Sequence, residues 1–232
     1  MTLIDGRKVL AVIPARGGSK GLKHKNIRMV AGVPLLGWSV KVARESRFVD
    51  DIVVSTEDSS IAGVARGIGC SVVERPDEYA TDDAKIEQVA LHALSVFDFA
   101  YDYVVILQPT CPMRKVSEID GCLATCINKD AASCSTISTH DEHPMKSLIE
   151  MPGLGITPYF GEEYLNAPRQ SLPKFYKQTG SVYVNRVADF MEAGGVAFVQ
   201  PWVPYVVSWR GVDIDDEFDL AVADMALRKG LS

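Results

Sequence analysis

Apolar residues along this chain alternate between two rhythms. Short β-branched runs stand at Lys8–Ile13 (KVLAVI), Ile52–Ser55 (IVVS), Ser71–Val73, Tyr103–Leu107 (YVVIL) and Ala132–Ser138. Runs of this length and make-up predict buried strands. Between them the apolar positions fall three and four residues apart, which predicts helices. Pro34–Glu45 carries Leu35, Leu36, Val40 and Ala43, and Ala84–Phe97 carries Ile86, Val89, Ala90, Ala93, Leu94 and Phe97 on one stripe. Asp58 or Ser59 caps a short helix ending near Gly67–Gly69, and Ser117 caps another that runs to about Asn128. Alternation of strand and helix predicts an α/β fold, a doubly wound, mainly parallel sheet with helices on both faces. Such sheets bind ligands beyond the carboxyl ends of their strands. The loops after Ile13, Ser55, Val73 and Leu107 are therefore where chemistry is sought.

The rhythm breaks at Thr139–Gln178, which holds Pro144, Pro152, Gly153, Gly155, Pro158, Pro168 and Pro173. This is long for a plain connection, so it reads as an arm, a lid or an oligomerisation element. Strands resume at Ser181–Asn185, Ala197–Val199 and Tyr205–Ser208, and a last helix spans Asp216 to Lys229 and stops at Gly230. The expected organisation is one domain from 1–138 and 179–232, with 139–178 inserted as an arm.

Composition narrows the class. A chain of 232 residues with 47% hydrophobic and 23% charged residues has the make-up of a globular protein with a sizeable core. The formal net charge of −6 argues against bulk nucleic-acid binding. No apolar run approaches membrane-spanning length, and Met1 to Lys8 lacks the apolar stretch of a secretory signal. The five cysteines include no C-x-x-C pair and read as reduced thiols, so the expected location is cytoplasmic with no membrane partner.

Charge is unevenly placed. Residues 6–44 hold Arg7, Lys8, Arg16, Lys20, Lys23, Lys25, Arg28, Lys41 and Arg44 but no Asp or Glu. Four of these fall in the loop after the first strand, Pro14-Ala15-Arg16-Gly17-Gly18-Ser19-Lys20-Gly21-Leu22-Lys23-His24-Lys25-Asn26. Its glycines let backbone N–H groups approach an anion, and Arg16, Lys20 and Lys25 can surround a polyphosphate. A solvated basic face is the plainer alternative. The loop matches neither G-x-x-x-x-G-K-[ST] nor G-x-G-x-x-G, which disfavours ordinary P-loop and NAD enzymes.

Further along, Asp213 and Asp215 precede the last helix with one residue between them. On extended backbone both carboxylates share a face, a hard-oxygen pair suited to Mg²⁺. Asp216 and Glu217 are explained by the helix dipole alone. Gln108-Pro-Thr-Cys-Pro-Met-Arg114 follows the strongest strand, and two prolines stiffen it. Gln108 can both donate to and accept from a ligand, although a stiff connector would look the same. The histidines show no zinc spacing; His92 reads as a helix-surface or satisfied residue.

Together these strings resemble the N-acylneuraminate cytidylyltransferases, the CMP-sialic acid synthetases. The matching residues are Ile13-Pro-Ala-Arg-Gly-Gly-Ser-Lys-Gly21, Lys25-Asn26, Ile52-Val-Val-Ser-Thr56, Glu74-Arg-Pro76, Gln108-Pro-Thr-Cys-Pro112, His143-Pro-Met-Lys146, Pro168-Arg-Gln170, Gly180-Ser-Val-Tyr183 and Asp213-Ile-Asp215. The resemblance implies a Rossmann-like three-layer fold whose arm at 139–178 mediates a homodimer. It implies transfer of CMP from CTP to a nonulosonic acid, with Mg²⁺ (or Mn²⁺) as cofactor. CMP-N-acylneuraminate synthesis comes first; a legionaminic or pseudaminic acid enzyme, another sugar nucleotidyltransferase and a silent nucleotide-binding homologue are the alternatives. By the same resemblance Arg16, Ser19, Lys20 and Lys25 hold the triphosphate, with Ala15 and Gly17 beside them in the loop. Asn26, Arg75 and Ala84 surround cytosine and ribose. Gln108, Lys146, Arg169 and Tyr183 line the sugar site, with Lys146 and Arg169 on the arm. Asp213 and Asp215 hold metal and, with Arg16 and Lys20, form the catalytic set. Thr179-Gly180 stands where Asn-Gly is frequent in the family, and Cys111 where Ser is common.

Overall fold

The computed structural model describes residues 6–19, 21–81, 83–196, 198–208 and 211–231. In chain order its strands and helices are β1 (Val9–Pro14), β2 (Met29–Val30), β3 (Val33–Pro34), α1 (Leu35–Glu45), β4 (Asp51–Thr56), α2 (Ser59–Gly67), β5 (Ser71–Glu74), α3 (Ile86–Val96) and β6 (Tyr103–Ile106). There follow α4 (Val116–Asn128), β7 (Ser133–Thr139), β8 (Leu148–Met151), β9 (Gly155–Pro158), α5 (Glu162–Leu165), β10 (Tyr176–Arg186), α6 (Val187–Glu192), β11 (Trp202–Val206) and α7 (Glu217–Arg228).

Seven strands form the central sheet in the order β11-β7-β10-β6-β1-β4-β5. All pairs are parallel except those of β10, which runs antiparallel to both β6 and β7. Strands buried on both faces need apolar residues at consecutive positions, and β1 supplies them. Val9, Ala11 and Ile13 pack on one face with Leu36 and Val40 of α1, Ile61 of α2 and Ile119 and Leu123 of α4. Leu10 and Val12 pack on the other with Ala90 and Leu94 of α3 and Phe190 of α6. The result is the expected three-layer arrangement. A smaller cluster joins Leu220 and Ala223 of α7 to Leu22, Val30, Leu35 and Ile214. It fixes the end of the chain against the first loop.

Topology places the site. From β1 the chain moves to β4 on one side, whereas β6 leads through α4 to β7 on the other. Loops that diverge from neighbouring strands leave a crevice at their carboxyl ends. Residues after β1 and after β6 must therefore face one another.

Several expected boundaries move. Ser117 lies inside α4, whose N-cap is Lys115, with no side-chain cap. Strand β10 begins at Tyr176, because Tyr176, Lys177 and Gln178 pair with Thr139, Ser138 and Ile137. The segment that leaves the sheet is thus 140–175, shorter than the proline and glycine content suggested. Phe198 and Val199 are not in a strand, and Ala197 lies outside the described residues. The strand expected at Tyr205–Ser208 is β11, three residues earlier at its start. The last helix does begin after Asp216, held by a capping box in which Asp216 and Asp219 exchange bonds with each other's backbone.

Candidate active site

A cavity of about 490 Å³ opens at the crevice, lined by Pro14, Arg16, Ser19, Gly21, Lys25 and Asn26 from the first loop. Arg75, Tyr79, Thr81, Ala84, Ile86 and Val89 line it from beyond β5 and from α3. Gln108, Pro109 and Thr110 enter after β6, and Asp213 and Asp215 from ahead of α7. Four stretches far apart in sequence thus meet at one end of the sheet.

The first loop is held by its neighbours. Ala15 is fully buried, so it braces the loop and does not face the cavity. Its N–H donates to the Ser55 carbonyl at 2.9 Å. Asn26 donates from Nδ2 to the Arg16 carbonyl at 2.9 Å, fixing the loop across its width. The Gly17 N–H, expected to meet an anion, donates instead to Glu57 Oε1 at 2.7 Å. A Cβ on Gly21 would lie 2.6 Å from the Asp215 carbonyl oxygen, so only glycine lets the loop close against the 213–215 segment. Lys20 lies outside the described residues.

Lys25 ties the same junction. Its Nζ donates to the Ile214 carbonyl at 2.8 Å and to Asp215 Oδ1 at 3.1 Å. Ile214 is fully buried between exposed Asp213 and Asp215, and its N–H donates to the Thr110 carbonyl at 2.9 Å. This is the alternation that places both carboxylates on one face. Two hard oxygen donors would suit a divalent ion of the kind that binds through one or two carboxylates. No group of three or more His, Cys, Asp and Glu side chains is arranged for a metal among the described residues.

Opposite the loop, Arg75 is buried. Its Nε donates to Ser55 Oγ at 3.3 Å and its Nη1 to the Tyr79 carbonyl at 3.2 Å. Burial lowers its pKa; Glu57 opposes that shift and Arg16 adds to it. His92 packs its ring on Tyr79 with centroids 5.7 Å apart. Its Nδ1 is shielded from solvent and has no hydrogen-bond partner among the described residues, so of the two expected readings, helix-surface or satisfied, the second does not hold.

The loop after β6 is pinned by Arg114, which is buried. Its Nη2 donates to the Gln108 carbonyl at 2.7 Å, its Nη1 to Ser39 Oγ at 2.8 Å and its Nε to the Ser181 carbonyl at 2.6 Å. An irregularity in the β10 register between Gln178 and Tyr183 swings Gly180 to the same place. With φ of +70°, Gly180 sits where an added Cβ would lie 3.1 Å from Gln108 Oε1 and 3.8 Å from Asp213 Oδ2. Cys111 packs beneath: its Sγ lies 3.6 Å from the Thr179 carbonyl and 3.9 Å from Asp213 Oδ1. Burial pushes its pKa up to about 12, so the thiol stays neutral.

The remaining sugar-site expectations do not meet in this cavity. Tyr183 is buried in the core beside Ile106, and burial raises its pKa to about 12. It is not among the residues that line the cavity. Lys146 and Arg169 line a second cavity of about 500 Å³ at the base of the arm, with His140, Asp141, Glu142 and His143. Within one chain they are not brought to Gln108. Residues missed from sequence are Glu57, Tyr79, Thr81 and Thr110. Glu57 had a positional signal, since it directly follows β4 at the carboxyl end of the sheet. Tyr79 and Thr81 had none, because the loop beyond Glu74-Arg-Pro76 carries no chemistry-bearing spacing.

Comparison with known proteins matches this geometry. Residues 10–148 match the Cytidylyltransferase family. The CMP-N,N'-diacetyllegionaminic acid synthase of Legionella pneumophila is 32% identical over 225 residues, covering 94% of this chain and 95% of that one. The N-acylneuraminate cytidylyltransferase of Escherichia coli is 27% identical over 217 residues, covering 93% of this chain; this chain spans only 51% of its length. The pseudaminic acid cytidylyltransferase of Campylobacter jejuni strain 81-176 is 28% identical over 190 residues, 80% of this chain and 81% of that one. Among solved structures, CMP:2-keto-3-deoxy-manno-octonic acid synthetase complexed with CTP shares the fold at a TM-score of 0.74 and 15% identity, covering 96% of this chain and 99% of that one. The chain belongs to the cytidylyltransferase family of nucleotidyltransferases.

Proposed function

We propose that this chain transfers the cytidylyl group of CTP to a nonulosonic acid of the sialic type, N-acylneuraminate first, and releases pyrophosphate. The observation that carries the reading is the composite cavity. Arg16, Ser19 and Lys25 line it with Asp213 and Asp215, and so do buried Arg75 with Tyr79 and Ala84, and Gln108. A triphosphate, a nucleoside and a polar sugar each find matching chemistry there. A legionaminic-type acid is the second reading, favoured by the Legionella relative, which matches nearly end to end.

The sugar's anomeric hydroxyl forms a bond to the α-phosphorus while the bond to the bridging oxygen of the β-phosphate breaks. Displacement of this kind needs positioning and charge neutralisation more than covalent catalysis. Arg16 and Lys20 neutralise the leaving pyrophosphate, Gln108 orients the sugar, and one carboxylate of the Asp213 and Asp215 pair accepts the hydroxyl proton. Asp213 and Asp215 are also the residues that would hold Mg²⁺ or Mn²⁺. Bound there, the ion supplies further charge neutralisation at phosphate oxygen.

The arm supports a homodimer in this reading. Leu148, Ile149, Met151, Leu154, Ile156, Tyr159 and Phe160 are all exposed large apolar residues on β8, β9 and their flanks. A run of this kind on a projecting hairpin marks an association surface. Lys146 and Arg169 would then complete the partner's sugar site, with Arg169 meeting the sugar's carboxylate. No helix among the described residues is long and apolar enough to cross a membrane, and the five cysteines are free and buried. A cytoplasmic location goes with this reading.

The test is pyrophosphate release with CTP, UTP, GTP and ATP against sialic, legionaminic and pseudaminic acids. Release confined to CTP with one of these acids is expected. Release with another nucleotide would make the chain a different sugar nucleotidyltransferase, and none with any pair would make it a binding protein.

A further inference from the structure

Glu57 stands just beyond β4, between the two ends of the nucleotide cavity. Its Oε1 accepts the Gly17 N–H at 2.7 Å. Its Oε2 is shielded from solvent, has no hydrogen-bond partner among the described residues, and lies 4.0 Å from Nε of Arg75. The two side chains are 17% and 3% exposed, so the pairing is only weakly screened. A buried guanidinium needs an opposing charge, and its other described hydrogen bonds go to neutral oxygens of Ser55 and Tyr79. The next carboxylate, Asp58, is occupied as the N-cap of α2, accepting from the Ser60 and Ile61 N–H groups at 2.8 and 3.0 Å. Glu57 therefore bridges two groups that face different parts of one ligand.

A carboxylate beside a triphosphate loop is unfavourable for anion binding unless something else requires it. Here the requirement is mechanical. The same backbone joins both ends, since the Ser55 carbonyl accepts from Ala15 N at 2.9 Å and from Arg75 Nη2 at 2.5 Å. Moving Glu57 disturbs the turn at Gly17 and the orientation of Arg75 together.

We propose that Glu57 is a positioning residue that couples the phosphate loop to the nucleobase end of the site, so that base discrimination and triphosphate binding are set by one side chain. This rests on the CTP reading above and deepens it. Glu57 touches neither the transferred phosphorus nor the sugar.

The experiment is calorimetric titration of the wild-type chain, Glu57→Gln and Glu57→Ala with CTP, UTP and inorganic tripolyphosphate, each with a thermal melt. Glu57→Gln keeps an acceptor for the Gly17 N–H and loses the charge facing Arg75. It should bind tripolyphosphate within about twofold of wild type while its preference for CTP over UTP falls about tenfold, the scale of one hydrogen bond to a charged group. Glu57→Ala should lose both, weakening tripolyphosphate by about tenfold as well. The isosteric Gln variant carries the test where Ala lowers the melting temperature. Wild-type base preference in both variants overturns the proposal, as does a uniform loss for all three ligands in Glu57→Gln. Failure of the CTP reading shows separately: the wild-type chain would then not prefer CTP at all.

Discussion

Asp213 and Asp215 carry different local loads despite their shared face. Asp215 is bound by Lys25, and its own N–H donates to Asp219 Oδ2 at 3.0 Å. Asp213 faces Gly180 and Cys111. Asp213→Asn and Asp215→Asn should both keep the fold, since neither side chain is buried. Both should lose metal-dependent turnover, because a carboxamide is a poorer ligand for a hard divalent ion. Magnesium titration of pyrophosphate release, run beside thermal melts, checks this. Unchanged magnesium dependence in both variants would reduce the pair to ordinary acids before a helix. At this scale the sequence misled about the basic window. Arg28 pairs with Glu217 at 2.8 Å, and Arg44 donates to the Ile68 and Gly69 carbonyls behind α2. Lys41 lies over the Trp38 ring at 5.3 Å, and Arg7 over that of Tyr103 at 6.0 Å. These cations serve the fold. Except for Lys41, whose partner Trp38 is close by, their partners are distant in sequence, up to 189 residues away for Arg28, so local spacing could not separate them from Arg16 and Lys25.

Elements were legible where one physical rule acted alone. β1 and β6 announce themselves because strands covered on both faces must be continuously apolar. The capping box at α7 follows from short-range chemistry between Asp216 and Asp219. β10 was misjudged by five residues at its start because its first part pairs on one side only, with β7, and needs no apolar run. The loop after β6 was half legible: its prolines promised rigidity, but the agent of that rigidity is Arg114. Its guanidinium joins α1, the 108–114 loop and β10, and Glu118 stands near enough to support its charge. Arg114→Ala would leave the Gln108 and Ser181 carbonyls and the Ser39 hydroxyl without this donor, and Glu118 buried with less compensation. Loss of one partner from such a buried charged network costs about 3–5 kcal/mol. Urea unfolding should show that loss as a lower midpoint at unchanged slope. A cost below about 1 kcal/mol, the scale of a single neutral hydrogen bond, would mean that the prolines alone hold the loop.

At the scale of the whole molecule, the residues proposed for the sugar site are divided between two cavities of one chain. Gln108 faces the nucleotide cavity, whereas Lys146 and Arg169 line another at the base of the arm. The arm exposes apolar residues that a soluble monomer would ordinarily cover. Both observations are met if the arm crosses to a second copy and lends it Lys146 and Arg169. A two-fold dimer makes that loan reciprocal, giving two composite sites. Consider then a chain carrying Arg16→Ala, with a broken nucleotide cavity, and one carrying Arg169→Ala, with a broken arm. Each homodimer is inactive because each of its sites holds one lesion. After random exchange about half the dimers are mixed, and in each of these one site collects both lesions and the other neither. Activity should therefore return to about a quarter of wild type. Native mass spectrometry establishes that exchange has occurred. Exchange without recovery would put Arg169 in its own chain's site, or outside the site altogether.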